Sequence, residues 1–434
     1  MHTLLITDSY PPEIRSASRL MHDLAMGLRD RGHCVSVLTC YPQYNLTEEA
    51  RERFADRAAK RDAYEDGVRV IRVEADNVHN CGPLRRALGH LALPVRFARA
   101  AHRLADIDAI VHYSPPLTLG LAAVWLKRRY GAAYVMNVQD LFPQNAIDLG
   151  VLKNPAAVAL FRLIERSCYR NADLVTCHSS GNRDILKRLV GAETPVSVVP
   201  NWVNLADYDE AAESSLIEEI GLQAEFVLMF GGVMGYAQDL DTVIECARML
   251  TDHGEIAFLL VGDGVEKERL ERKAQGLGNV RFHPFVSPDE YVGLLREVDA
   301  GLVTLRGSMR TPVVPSKVLD FMAAGKPWIG SLPPTGDAWR VGERSGSASL
   351  CPPGEVTEMA RAVLRLYRDR EERHSMGRRG REYCERHFAR GVCVDRYHAI
   401  LSKLRRKAAA RWTRRPSVEV SRTATREVAP NAGT

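Results

Sequence analysis

The stretch Thr3-Leu4-Leu5-Ile6-Thr7-Asp8-Ser9-Tyr10-Pro11-Pro12-Glu13-Ile14-Arg15-Ser16-Ala17-Ser18 decides the fold class, together with Leu20, Leu24 and Leu28 at helical spacing and the run Cys34 to Thr39 beyond them. An apolar run, a turn, a helix with one apolar stripe and a second β-branched run form one βαβ unit, whose two strands are predicted to be parallel. Working outward, short apolar runs recur at Val68 to Val73, Ala109 to Tyr113, Tyr134 to Val138, Leu174 to His178 and Val196 to Val199. After Pro200 the series stops in a polar, acidic stretch through Glu219, where the interdomain linker is placed. It restarts at Phe226 to Phe230, Phe258 to Val261, Val280 to His283, Gly301 to Leu305 and Trp328 to Gly330. The pattern is that of an α/β protein with two successive doubly wound parallel sheets.

The 434 residues, 45% of them apolar and 26% charged, suffice for two packed cores. Helices are expected around Met359 to Tyr367 and Val394 to Leu404, closing the second domain, and the chain after Lys407 is expected to be a disordered basic tail. From Leu401 onward nine Lys or Arg face only Glu419 and Glu427, an excess of seven within a net charge of +5, so the rest is near −2 and implies no nucleic-acid surface. The nine scattered Cys suit a reducing cytosol and show no zinc spacing. The opening run is too short for a signal peptide, and the longest apolar stretch, Leu117 to Leu126, stops at Lys127, short of a membrane span. A cytoplasmic protein with at most peripheral membrane contact is expected.

Loops at the carboxyl ends of strands are where open α/β sheets bind ligands. In the first, Ser16 or Ser18 can cap the helix, with its amides turned to the cleft; a plain Pro-rich connector is the other reading. Gln139-Asp140 follows the strand Tyr134 to Val138, where Asp140 either orients hydroxyls and takes part in acid/base work or caps the next helix. Gly231-Gly232-Val233-Met234-Gly235 opens a second-domain helix and admits a phosphate, or is a structural turn. Pro315-Ser316-Lys317 starts another helix. Lys317 there opposes the macrodipole unless an anion is bound, and Asp320, three residues on, either accepts hydrogen bonds from ribose hydroxyls or pairs with Lys317. Lys267 is a second phosphate candidate beside a solvated-face reading. His283-Pro284-Phe285-Val286 can cradle a nucleobase. Arg85, Arg86, Arg96, Arg99 and Arg103 lie among apolar residues without an acid from Asn77 to Ala105, which suits an anionic membrane or lipid-diphosphate acceptor as well as a solvated amphipathic helix.

Tyr10-Pro11-Pro12, Arg31-Gly32-His33-x-Val35-x-Val37-Leu38-Thr39 and Pro200-Asn201 resemble family 4 glycosyltransferases, and Gln139-Asp140-x-x-Pro143 with Pro200-Asn201-Trp202 is similar to the subgroup that makes colanic acid and O-antigen. The resemblance, over Leu4 to Leu404, implies the GT-B fold, two Rossmann-like domains facing a central cleft: residues 1–200 on the acceptor side, 201–407 holding the nucleotide sugar, and 408–434 as the tail. It implies transfer of a sugar from a UDP- or GDP-linked donor to a saccharide or polyprenyl-linked acceptor, with retained configuration and neither cofactor nor metal. The catalytic residues implied are Asp140, Lys317 and Arg15. The donor side comprises Gly232, Gly235, Gln238, Lys267, Phe285, Val286, Ser316, Lys317 and Asp320, and the acceptor side Ser16, Arg19 and Gln139. Four departures stand out. Ile14-Arg15-Ser16 replaces a Gly-Gly pair, Val233 and Gln238 stand where loop cations are usual, and Pro312 stands at the first acid of the E-x7-E motif. An epimerase-like enzyme and a weakened scaffold protein are the rival readings, separated by acceptor-independent turnover and by failure to bind nucleotide.

Overall fold

The computed structural model describes residues 1–412 except 44–45, 58–59, 76–82, 149, 211–213 and 310–311, with the side chains of 81–88, 90 and 408–412 also outside the description. The first sheet contains β1 (His2–Ile6), β2 (Cys34–Cys40), β3 (Asp62–Glu65), β4 (Val68–Val73), β5 (Ala109–Ser114), β6 (Ala133–Val138), β7 (Leu174–Cys177) and β8 (Val196–Val198). Its order is β3-β4-β2-β1-β5-β6-β7-β8, parallel except for β3 against β4. The second contains β9 (Phe226–Gly231), β10 (Ile256–Val261), β11 (Val280–His283), β12 (Ala300–Thr304), β13 (Trp328–Ser331) and β14 (Ala348–Cys351), ordered β11-β10-β9-β12-β13-β14 and parallel throughout. Two doubly wound sheets are what the alternating runs predicted. β3 and β14 were not predicted, since Asp-Ala-Tyr-Glu and Ala-Ser-Leu-Cys carry little apolar signal.

Strand alternation divides each sheet into two cores. Leu4 and Ile6 enter one cluster with Leu38, Ile71 and Ile110, while Leu5 enters the opposite one with Val35, Val37, Val70 and Val111. In the second domain Val227 and Met229 face one way and Phe226, Leu228 and Phe230 the other. Both faces are apolar because helices cover both, as parallel sheets require.

The domain boundary is sharper than the expected linker. Trp202 joins the first domain, its ring against Tyr397 and its Nε1 donating to Asp23 Oδ2 at 3.2 Å, whereas Val203 joins the second domain's core. The chain crosses back beside this point, with Val203 N donating to the Phe388 carbonyl at 3.0 Å and Arg390 N to the Val203 carbonyl at 2.9 Å. The helix Arg390–Trp412 therefore corrects the expected closure of the second domain. Its Cys393, Val394, Tyr397 and Leu401 pack with Leu5, Leu24 and Val37 in the first domain. Periodicity identified the helix but carries no information on which sheet its apolar face covers. The helix also extends past Lys407, the expected start of the tail, and the rest of that tail from 413 lies outside the described residues.

Candidate active site

Each sheet has one point where the strand order reverses, β1/β5 in the first and β9/β12 in the second. At the second, the loop after β9 and the loop after β10 lie backbone against backbone. Gly232 N donates to the Val261 carbonyl at 2.9 Å, Met234 N to the Asp263 carbonyl at 2.8 Å and Glu266 N to the Met234 carbonyl at 3.1 Å. A Cβ on Gly262 would stand 1.9 Å from the Gly232 carbonyl oxygen, and one on Gly264 2.4 Å from that of Met234. Glycine is required there by contact and by φ values of +144° and +155°. The amides of Val233 and Gly235 take no backbone partner among the described residues, which leaves them available to a ligand oxygen.

Lys317 lies in the first turn of the helix Ser316–Ala323, directly beneath this loop and buried. Its Nζ donates to Gln238 Oε1 at 3.3 Å and sits 4.2 Å from the centre of the Phe230 ring. Burial lowers its pKa to about 8, against the pull of Asp320. No ion pair joins Lys317 to Asp320, so the helix does not build the i,i+3 pair that was the alternative reading. A buried ammonium whose hydrogen-bond and ring contacts among the described residues are an amide oxygen and a ring face, with Asp320 acting on it without an ion pair, favours an anion beside it. Gln238, at a position where the resemblance places a cation, orients this one.

Asp320 is buried and accepts from the Tyr208 hydroxyl at 2.6 Å through Oδ1; burial raises its carboxyl, opposed by that hydrogen bond and by Arg19 and Lys317. It borders a cavity of about 800 Å³ together with Tyr208, Tyr291, Arg19 and Pro288. Arg19 reaches this cavity from the first domain, its Nη2 3.3 Å from Asp207 Oδ2, so it faces the second domain's carboxylates as well as the acceptor side. Phe285, 56% exposed, and the half-buried Val286 follow β11 and are not among the residues that line this cavity. Ser316 is exposed at the helix start. The Lys267 side chain enters no hydrogen bond or ion pair among the described residues, and nothing joins it to Lys317.

At the first-domain switch point, Arg15 Nη1 lies 3.7 Å from Asp8 Oδ2 and 3.8 Å from Glu13 Oε2. Glu13 is buried and accepts from Ser9 Oγ at 2.6 Å and from Gln43 N at 2.8 Å. Burial raises Asp8 to about 6, with Arg15 lowering it and Glu13 adding to the rise. Asp140 projects from the end of β6, exposed to the cleft. Its carboxylate takes no hydrogen bond among the described residues, so it does not cap the next helix, and the surrounding protein raises its pKa by desolvation. Gln139 is committed elsewhere: Oε1 accepts from Asn201 Nδ2 at 2.9 Å and Nε2 donates to Asn137 Oδ1 at 3.1 Å, tying β6 to the interdomain crossing. The expected cap is also corrected. Arg15 holds the cap position and its side chain does not cap the helix, Ser16 is the first helical residue, and the Ser18 hydroxyl is buried without a hydrogen-bond partner among the described residues. The helix begins at Ser16, so Ser16 and Ser18 fall one and three residues past the cap position from which a hydroxyl can accept the N2 or N3 amide.

Sequence reading missed Asp8, Tyr208 and a clasp between the domains. Asp337 is buried, and its carboxylate accepts from Gly181 N at 3.1 Å and Ser180 Oγ at 3.1 Å at the start of the helix Ser180–Val190. Beside it Asn182 Nδ2 donates to the Pro312 carbonyl at 3.1 Å and to His178 Nε2 at 2.8 Å. Position 312, where the resemblance expects a donor-sugar acid, thus gives its carbonyl to the first domain. Asp8 was within reach, since like Asp140 it follows a strand end; Asp337 carries no local signal. Among the described residues no three His, Cys, Asp or Glu are grouped to hold a metal ion.

Residues 17–202 match the family described as glycosyl transferase 4-like domain and residues 225–369 the glycosyl transferases group 1 family, one on each side of the cleft. The chain is a GT-B glycosyltransferase. It is 29% identical over 342 residues to the putative colanic acid biosynthesis glycosyl transferase WcaI of Escherichia coli K12, covering 75% of this chain and 82% of that one. With the probable glycosyltransferase WbjE of Pseudomonas aeruginosa it shares 24% identity, over 68% of this chain and 75% of the other. Among solved structures, Anabaena HepE in complex with UDP superposes with a TM-score of 0.67 at 16% identity, over 93% of this chain and 100% of that one. The trehalose 6-phosphate synthase of Burkholderia multivorans gives 0.70 at 13%, over 94% and 99%. The structural likenesses share the fold, and both family matches are to glycosyl transferases.

Proposed function

We propose that this glycosyltransferase moves a sugar from a UDP- or GDP-linked donor to a hydroxyl of a saccharide or polyprenyl-linked saccharide during surface polysaccharide synthesis, with retention and without a metal. The observation that carries the donor half is Lys317, a buried cation beneath a glycine loop with free amides. In the reaction the acceptor hydroxyl oxygen bonds to the anomeric carbon and gives up its proton to the departing diphosphate oxygen, while the glycosyl–phosphate bond breaks and its electron pair goes to that oxygen. Lys317 and the Val233 and Gly235 amides stabilise that charge in a site of low dielectric. Asp320, with one oxygen held by Tyr208, offers the other to ribose hydroxyls in the 800 Å³ cavity. Asp140, a free carboxylate at the opposite lip, orients the acceptor, and Arg15 holds Asp8 beside it. The colanic acid relative supports the polysaccharide assignment, and the UDP complex of HepE supports the donor class. Melting the full chain with UDP, GDP, ADP and CDP tests this. A ligand at a hundred times its dissociation constant stabilises by about 2.7 kcal/mol, so one diphosphate is expected to raise the melting temperature; folded protein indifferent to all four would end the donor reading.

Peripheral membrane contact would use the first-domain face made by the helices Pro83–Ala100, Leu119–Tyr130 and Pro155–Asn171. Val95 and Trp125 are exposed there, Leu163 is 65% exposed, and Arg99, Arg103, Arg128 and Arg129 surround them, with Arg129 over the Trp125 ring at 5.7 Å. Arg85 and Arg86 fall outside the described side chains, and Arg96 is spent on the Glu74 carbonyl at 2.9 Å. An interfacial Trp among cations fits an anionic bilayer. Co-sedimentation with vesicles containing about a third phosphatidylglycerol is expected, falling at high salt; equal pelleting with neutral vesicles, or none, would reject it.

A further inference from the structure

Arg306 belongs to the loop after β12, which is bonded to the loop that covers Lys317. It follows β12 by two residues, and its backbone N–H donates to the Ala237 carbonyl at 3.0 Å, so the β12 loop is stitched to the β9 loop across the strand-order reversal. The next residue, Gln238, is the one that holds Lys317 Nζ. Beneath the Arg306 side chain is an ion-pair network that is complete without it. Asp241 accepts from Arg269 at 2.9 and 2.7 Å and from Lys273 at 2.8 Å. Glu266 accepts from Arg269 at 3.0 and 2.7 Å, and Glu245 pairs with Lys273 at 3.1 Å and Arg248 at 3.3 Å. Three acids are balanced by three cations. The Arg306 Nη2 comes no closer than 3.7 Å to Asp241 and 3.6 Å to Glu266, outside hydrogen-bond reach. Two other carboxylates near the loops are engaged, Asp239 by Thr242 Oγ1 at 2.7 Å and Asp263 by Gly264 N at 2.7 Å. The guanidinium is thus 38% exposed and held by these two acids at ion-pair distance only, with no hydrogen bond of its own among the described residues.

We infer that Arg306 is the second cation on the donor's diphosphate, doing from the β12 loop what Val233 and Gln238 cannot do from the β9 loop. This rests on the donor reading above. A nucleoside diphosphate carries more than one negative charge, and Lys317 supplies one positive charge; a planar guanidinium with unspent N–H groups suits the remaining phosphate oxygens bidentately. The acids behind it keep it extended and lower the entropy lost on binding.

Calorimetric titration of the full-length protein with inorganic pyrophosphate, UDP, GDP and, as controls lacking phosphate, uridine and guanosine tests the assignment. Arg306→Gln is expected to weaken pyrophosphate and the accepted nucleoside diphosphate by about tenfold or more, the loss of a charge-assisted pair, with Arg306→Lys intermediate. Nucleoside binding and the unliganded melting temperature are expected to stay as in the parent. Unchanged diphosphate affinity in Arg306→Gln, while Lys317→Met loses it, would overturn the inference and leave the donor reading standing. Equal losses for nucleoside and diphosphate would overturn it too, marking Arg306 as a loop brace. A parent protein that binds neither pyrophosphate nor any nucleoside diphosphate would remove the donor reading and this inference together.

Discussion

Lys317→Met is expected to yield a protein that is more stable than the parent at pH 7 and transfers almost no sugar. The ammonium is buried, and burial pushes its pKa down to about 8 from the ordinary lysine value of 10.5. Because the folded chain holds this proton less tightly than the unfolded chain, the group opposes folding below pH 8. By linkage the penalty is on the order of 3 kcal/mol. The contribution improves as pH rises from about 8 to about 10.5, where the unfolded chain still binds a proton that the folded chain has released. Met keeps the stem's packing and removes the charge, at the loss of the Gln238 hydrogen bond and the contact with the Phe230 ring, together about 1–2 kcal/mol. A net rise in melting temperature of a few degrees is expected at pH 7, shrinking toward pH 10. Turnover is expected to fall about 10²- to 10³-fold, the usual effect of removing one preorganised group from developing negative charge. A Met variant less stable than the parent at pH 7 would mean the cation is not held at a cost, and undiminished turnover would remove it from the leaving-group site. A residue that lowers stability for the sake of a ligand is a common trade-off at active sites.

How much of this was legible in sequence depended on distance along the chain. Twelve of the fourteen strands announced themselves through β-branched runs, because a strand buried on both faces needs apolar residues at every position. β3 lies at an edge of the first sheet with a polar sequence and β14 at an edge of the second with small residues, so neither had such a run to offer. Pro315-Ser316-Lys317 was readable because helix-start chemistry is local: proline fixes the entry, and a lysine in the first turn is unfavourable without an anion. The burial of its Nζ over Phe230 was not, since that ring is 87 residues away in sequence. The Asp337 clasp spans 156 residues to Gly181, and an aspartate at a helix start looks like any other first-turn acid. Gln139 illustrates the opposite error. Its place after a strand suggested a ligand contact, yet its amide is consumed by Asn137 and Asn201. Position at a strand end identifies residues that can face a cleft, and hydrogen-bond accounting then separates those with groups to spare, Asp140 and Lys317, from those without.

Gly262→Ala is expected to cost about 3–5 kcal/mol and to abolish donor binding, far more than the same change at Gly276. Both glycines have positive φ, +144° and +85°, so both substitutions carry backbone strain of about 1–3 kcal/mol. They differ in what a methyl group would meet. Nothing lies within 4 Å of a Cβ at position 276, whereas at 262 the Gly232 carbonyl oxygen is 1.9 Å away and its carbon 2.9 Å. The two strands cannot part to relieve this. Gly262 N is held by the His283 carbonyl at 2.8 Å and Gly232 N by the Val261 carbonyl at 2.9 Å, so β9, β10 and β11 would have to shift as one. The relief available is displacement of the Gly232 to Gly235 loop, which carries the free amides over Lys317. Urea unfolding of the two variants measures the difference, and titration with the stabilising nucleotide shows whether the loop has moved. If Gly262→Ala loses stability but binds the diphosphate normally, the close approach of the two loops is structural and the phosphate lies elsewhere in the cleft. If both losses appear together, the glycines that let two backbones touch are the same ones that bring an amide within reach of a phosphate.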